Sequence, residues 1–305
     1  MQTQNHKTIL VTGGTGLVGR SLCALLTQHG HSVRILTRQP TDVSIGRFTY
    51  DLTSNTIDEK ALVDVDVVVH LAGENVAGGR WTSHRKQQIR SSRVDTAKLI
   101  LLALQKNNQV LTTFITASGI GYYGSNPTGE LREDSKSGSD FLAKICIDWE
   151  AAAEEFKSVQ SNVFVNRIGI VLAKGGGFVQ KLMPLINLHL GSVLGSGNQD
   201  VAWIHIHDLC EIIAKQIEGE LLAGIYNVCA PETPTHHQMI ESMAKQSNKR
   251  LWLPNVPEFA LKLALGEMSE AVLSSQKAIP QKLVNQNFSW KYPNHREAYK
   301  NCLTE

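Results

Sequence analysis

TGGTGLVG, residues 12–19, follows the apolar run of residues 8–11 and precedes a helix-like segment over residues 20–29. Strand, glycine turn and helix start in that order describe a dinucleotide site. Gly13 permits the tight turn, Gly16 lets backbone approach a pyrophosphate, and Gly19 lets the helix pack close to the sheet. The first-turn N–H groups of that helix then face the phosphates. The motif lies near the start of the chain, and a second apolar strand over residues 32–37 follows it.

The rest of the chain alternates in the same way. Residues 8–11, 32–37, 47–50, 65–71, 112–117 and 162–168 read as strands separated by helix-length segments. Such alternation predicts parallel βαβ units, right-handed crossovers and a doubly wound α/β sheet of the Rossmann type, with the ligand beyond the strand C-termini where the order reverses. Residues 1–170 form the expected dinucleotide-binding domain, with a later strand returning near residues 224–228. Residues 171–250, with Gly175-Gly176-Gly177 and the loop LGSGNQD, form a substrate-side region. Residues 251–305, punctuated by Pro257, Pro280 and Pro293, form a small helical C-terminal region.

Composition narrows the partners. Thirty basic and 28 acidic side chains give a net charge of +2, too balanced for a nucleic acid or an acidic membrane surface. The five cysteines are scattered, odd in number and free of CxxC pairs, which predicts neither a disulfide framework nor a metal site. A polar opening that runs straight into the first strand, with no apolar run near membrane length, predicts a cytoplasmic protein. The expected partner is a small-molecule substrate.

NAD-preferring dinucleotide folds carry an Asp or Glu about 20 residues past the first glycine, at the end of the second strand, to bind the ribose 2′-hydroxyl. Thr37-Arg38 stands there instead. A guanidinium suits a 2′-phosphate, and the Thr37 hydroxyl adds a donor, so the expected cofactor is NADP(H). The competing reading makes Arg38 a solvated loop charge. Asp51, after the third strand, is either an acceptor for the adenine amino group or a turn residue.

TGGTGLVG, HLAGE (residues 70–74), ITASGIGYYG (115–124), DFLAKICIDWEAAA (140–153), NRIGIVL (166–172) and WIHIHDL (203–209) occur in that order. Together they resemble the atypical extended short-chain dehydrogenase/reductases, specifically the SDR39U1-like epimerase-family group of the NAD-dependent epimerase/dehydratase superfamily. The resemblance covers essentially the whole chain. It implies that Gly13, Gly16, Leu17 and Val18 meet the pyrophosphate, Thr37 and Arg38 the adenosine phosphate, and Leu71, Ala72 and Gly73 the middle of the cofactor. It further implies cofactor contact for Arg93 and a place near the nicotinamide for Val171. Arg90 and Arg93, at i,i+3, are either a shared anion site or a solvated basic face.

The superfamily's chemistry rests on Tyr-x-x-x-Lys, whose i,i+4 spacing puts both groups on one helix face. Aligned by Glu150, those positions are Leu142 and Cys146, and Lys144 lies about 160° around the helix from either. The acid/base must then come from elsewhere. Ser118 and Tyr123, after the fifth strand, are the candidates, with Glu74 and His205 next; Tyr122 and Tyr123 read equally as packing aromatics. Asp208 reads as a helix cap. These residues predict an NADP(H)-binding oxidoreductase or nucleoside-diphosphate-sugar epimerase with its usual pair replaced, or else a cofactor-sensing regulator without chemistry, linked to cell division by the labels of some relatives.

Overall fold

The computed structural model describes residues 6–303. Its strands are β1 (Thr8–Thr12), β2 (Ser32–Thr37), β3 (Arg47–Asp51), β4 (Thr56–Ile57), β5 (Val67–His70), β6 (Thr113–Gly119), β7 (Asn126–Leu131), β8 (Asn162–Ile168), β9 (Ile170–Ala173), β10 (Trp203–His205), β11 (Gly224–Val228) and β12 (Gln276–Ala278). Its helices are α1 (Leu17–Gln28), α2 (Ser83–Lys106), α3 (Phe141–Glu154), α4 (Gly177–Asn187), α5 (Ile206–Glu218), α6 (His236–Gln246), α7 (Glu258–Leu265), α8 (Ser269–Leu273), α9 (Gln281–Asn285) and α10 (His295–Leu303).

Eight strands form one sheet in the order β11-β8-β6-β5-β1-β2-β3-β4, parallel except for the short β3–β4 hairpin at its edge. The order reverses beside β1, which has β2 on one side and β5 on the other. Period-2 alternation explains why the strands read as unbroken apolar runs: both faces are covered. Leu10, Val68 and Phe114 pack under α2 and α3 with Val94, Ile100, Leu104 and Ala152. Their neighbours Ile9, Val11, Val69 and Ile115 pack on the other face against Leu22 and Leu26 of α1 and Ile212, Ile213 and Ile217 of α5.

Two features lie outside the sequence pattern. A separate core joins β9 and β10 to α4, α6 and α10 through Leu172, Trp203, Ile186, Met243 and Tyr299. The C-terminal segment, expected to be helical, also contributes β12, which pairs in parallel with β7 through Lys277 opposite Glu130 and Ala278 opposite Leu131. That pairing fastens the last part of the chain to the loop beyond β6. A strand so short carries too little periodicity to be seen in sequence. No helix among the described residues is long and apolar enough to cross a membrane.

Candidate functional site

The chain leaves β1 at Thr12 and turns at Gly13, whose φ of +69° lies in the left-handed region. A β-carbon there would stand 2.8 Å from the Leu71 carbonyl. Gly16 donates its N–H to the Gly13 carbonyl at 2.9 Å and caps α1. No side chain caps that helix, and its first turn holds no acidic residue. Its leading N–H groups, at Leu17 and Val18, therefore keep the positive end of the helix dipole for an external anion. On Gly19 a β-carbon would lie 2.2 Å from the Gly13 carbonyl oxygen, so only glycine lets α1 start this close to the turn. This cradle fits a pyrophosphate.

A buried hydrogen-bond chain fixes the loop beside it. Thr12 Oγ1 accepts from the Ala72 N–H at 3.1 Å, so its own proton points to His70 Nδ1 at 2.8 Å. His70 Nε2 then donates to the Arg93 carbonyl at 2.9 Å, which defines the neutral tautomer. Burial drives the His70 pKa down to about 4, consistent with that state. The result pins Leu71-Ala72-Gly73 between β1 and α2. Arg93 lies against Gly73, with its guanidinium 5.0 Å over the Trp149 ring, and burial lowers its pKa to about 10.

The remaining sequence candidates divide. Thr37 ends β2 and Arg38 follows it with a side chain 74% exposed. Asp51 is used as a turn residue: its carboxylate accepts from the Thr53 N–H at 2.8 Å and the Ser54 hydroxyl at 3.0 Å, and these bonds, the Thr53 one foremost, lower its pKa. Arg90 pairs with Asp148 at 2.7 Å and is not brought together with Arg93 in one anion site. Val171 packs into the core shared by α1 and α5. Gly176, read in the sequence only as part of the substrate-side region, packs on Leu17 so closely that a β-carbon would collide with it.

Beyond the ends of β6 and β8 lies a cavity of about 650 Å³, lined by Arg93, Ser118, Gly119, Leu142, Cys146 and Trp149 and closed on its far side by residues of α7, α8 and β12. Leu142 and Cys146 present one face of α3 to it. The Cys146 thiol lies 3.7 Å from the Gly119 carbonyl and is pushed up to about 11 by burial. Ser118 is the hydroxyl that β6 delivers to this wall. It donates to Glu150 Oε1 at 2.8 Å. Arg167, from β8, clamps the same carboxylate in a two-pronged pair, Nε to Oε1 at 2.9 Å and Nη2 to Oε2 at 2.8 Å. Burial opposes the Arg167 charge, but the bonds and charge of Glu150 outweigh it and raise its pKa.

Tyr123 is placed otherwise than a proton donor to the cavity requires. Its hydroxyl accepts from Arg167 Nη1 at 2.8 Å and faces two acceptors, Asn227 Oδ1 at 2.7 Å and the Arg132 carbonyl at 2.8 Å. Burial pushes its pKa up to about 12. The ring sits behind the wall that Ser118 lines, in the packing role. His205 caps α5 by accepting from the His207 N–H, while Asp208, expected to be that cap, accepts the N–H groups of Lys291 and Tyr292. The sequence missed Glu150 and Arg167. Their signal was two opposite charges in segments rich in buried apolar residues, but pairing them requires the β6–β8 and α3–β8 contacts that only the fold supplies.

The NAD dependent epimerase/dehydratase family matches residues 9–229, and a domain of unknown function matches residues 256–302. The chain belongs to the NAD-dependent epimerase/dehydratase family. The epimerase family protein YfhF of Bacillus subtilis is 34% identical over 287 residues, spanning 93% of this chain and 94% of its own. Human epimerase family protein SDR39U1 is 31% identical over 299 residues, or 97% of this chain and 99% of the relative. A crystal structure of human SDR39U1 (isoform 2) with NADPH superposes with a TM-score of 0.87 at 30% identity, covering 97% of this chain and 98% of that one. As an epimerase/dehydratase-family member of Rossmann type, the chain is an NAD(P)-binding protein. In this family member the cavity wall offers a leucine and a cysteine on α3, and Ser118 on β6 backed by Glu150 of α3.

Proposed function

We propose that the chain binds NADP(H) and catalyses oxidation or reduction at a hydroxyl or carbonyl carbon of a small molecule, in a cytoplasmic setting. The pyrophosphate lies on Gly13, Gly16, Leu17 and Val18; Thr37 and Arg38 take the adenosine phosphate; Leu71, Ala72, Gly73 and Arg93 flank the middle, and Val171 stands towards the nicotinamide end. Residues 1–170 with 224–228 serve the cofactor, while residues 171–250 and 251–305 shape the substrate side. NADPH bound there supplies hydride, or NADP+ accepts it. The absence of a carboxylate at the end of β2 supports the phosphorylated cofactor.

The observation that carries the reaction is the Ser118–Glu150 hydrogen bond at the cavity wall. A carboxylate only accepts, so the Ser118 proton is committed to Glu150 and a lone pair on Oγ is left for the cavity. A substrate hydroxyl can donate to that lone pair. Its proton passes to Ser118 Oγ as the Ser118 proton passes to Glu150 Oε1; for a carbonyl substrate both transfers run in reverse. Leu142 has no proton to give, and the Cys146 thiol at about 11 is unsuited to exchange one near neutrality. The test is a panel of alcohols with NADP+ and carbonyl compounds with NADPH, read at the nicotinamide absorbance. Ser118→Ala is expected to lower turnover about 10²–10⁴-fold. Retention of full turnover would remove Ser118 from the reaction.

A second reading, a regulator that senses cofactor without turning over, is favoured by one observation. The Ser118–Glu150–Arg167–Tyr123 chain continues to Asn227, whose amide donates to the Leu131 and Ile279 carbonyls, joining the cavity to the C-terminal region. If no compound in the panel turns over while NADPH changes hydrogen exchange in residues 256–302, this reading is the better one.

A further inference from the structure

The ends of β2 and β5 flank β1, so any contact between the loops that follow them passes across the glycine turn. One such contact exists. Arg38 Nη2, just past β2, lies 3.9 Å from Glu74 Oε2, past β5. The other carboxylate oxygen of Glu74 pairs with Arg85 Nη1 at 2.9 Å, and the Glu74 N–H donates to Ser92 Oγ at 2.9 Å, which holds Glu74 in place from α2. Arg85 is itself held by the Asn75 carbonyl at 2.6 Å. Glu74 is therefore anchored, while the Arg38 side chain is largely exposed and has this one ion-pair contact among the described residues. The acid missing from the end of β2 is supplied from across the cleft.

We infer that Glu74 is a specificity-determining residue that narrows the preference for NADP(H) over NAD(H) by competing with the 2′-phosphate for Arg38. The inference rests on the cleft reading proposed above. A phosphomonoester carries about −1.5 to −2 charges at neutral pH. At Arg38 it competes with Glu74, 3.9 Å from the guanidinium, and remains near that carboxylate, which costs binding through like-charge repulsion. Arg85 offsets part of that repulsion. The unphosphorylated cofactor meets no such penalty, because a ribose 2′-hydroxyl can donate to Glu74. One side chain thus disfavours one cofactor and favours the other.

The test is fluorescence titration of the full-length protein with NADPH and with NADH, repeated with 2′,5′-ADP and 5′-AMP so that the nicotinamide end plays no part. Glu74→Gln keeps the shape and removes the charge. It is expected to raise the ratio of NADH to NADPH dissociation constants about tenfold, NADPH tightening and NADH weakening, with the same direction for 2′,5′-ADP against 5′-AMP. Arg85→Met, which leaves the Glu74 carboxylate unneutralised, should move the ratio the opposite way. A ratio unchanged within twofold in Glu74→Gln, while the unmodified protein binds NADPH, would overturn the role of Glu74. If Glu74→Gln does not fold, a ratio that fails to fall in Arg85→Met overturns it equally. Failure of the unmodified protein to bind either nucleotide would sink the cleft reading itself.

Discussion

At the start of α1 the molecule presents backbone: Gly13, Gly16 and Gly19 come from one contiguous turn, and their function is to have no side chain in the way. The cavity beyond β6 presents side chains drawn from far apart, with Ser118 on β6, Glu150 on α3 and Arg167 on β8. The cleft depends on close backbone approach at neighbouring positions of the chain. The cavity wall depends on three groups whose charges and protons must match. The first is a motif and the second an assembly, and the two should fail differently when broken.

The largest effect is expected at the assembly. Arg167→Met removes one partner of an ion pair whose side chains are only 2% and 10% exposed, leaving Glu150 with an uncompensated buried charge. Loss of about 3–5 kcal/mol of stability is expected, read by urea unfolding at neutral pH. A cost below about 1 kcal/mol would mean that water reaches Glu150 and that the wall is not the closed assembly described. The cleft has its own polar staple in His70, which is neutral when folded and protonates more easily when unfolded. Its folded pKa, near 4, lies below the ordinary 6.5, so its contribution is complete above pH 6.5 and is lost as pH falls from 6.5 towards 4. That amounts to a loss on the order of 3 kcal/mol, to which His205 and His236, also lowered to about 4 by burial, add in the same window. Unfolding measured between pH 7 and pH 4 should show the decline, and His70→Gln should flatten its share of it.

The same contrast explains what was legible in the sequence. The glycine turn declares itself because Gly13 to Gly19 are neighbours in the chain, and the parallel sheet declares itself because residues such as Ile9 and Leu10 are buried on opposite faces, leaving no polar gap in the run. Ser118 could be placed at the end of its strand. Its partners could not, since the Ser118–Glu150 and Glu150–Arg167 bonds span 32 and 17 residues and depend on the packing of α3 across β6 and β8. Tyr123, five residues after Ser118, is held by Arg167 and Asn227, two long-range partners that no local pattern foretells.

A smaller effect is expected at the rim of the cleft. Arg38→Ala should weaken NADPH by about 1.5–3 kcal/mol, the scale of a charge-assisted hydrogen bond, and leave NADH nearly unchanged. Calorimetric titration of both cofactors checks this. Equal losses for the two would show that Arg38 acts on the fold of the loop and not on the phosphate.

The smallest effect is expected where the family resemblance would lead one to look first. Aligned through Glu150, Cys146 falls where the resemblance would lead one to expect the superfamily's lysine, and it lines the cavity with Leu142 one helical turn before it. Its thiol is buried, its sulfur lies 3.7 Å from the Gly119 carbonyl, and burial pushes its pKa up to about 11, so at neutral pH almost none of it is thiolate. An alanine there removes one sulfur atom from a site that already faces a cavity, so the loss of packing should be about 1 kcal/mol or less. Turnover with any substrate found by the nicotinamide panel should stay within a few-fold, and NADPH affinity should hold. Alkylation experiments should agree, with Cys146 reacting slowly in the folded protein. A hundredfold loss of turnover with cofactor affinity intact would reverse the assignment, making the thiol and not the Ser118–Glu150 pair the group that handles the proton.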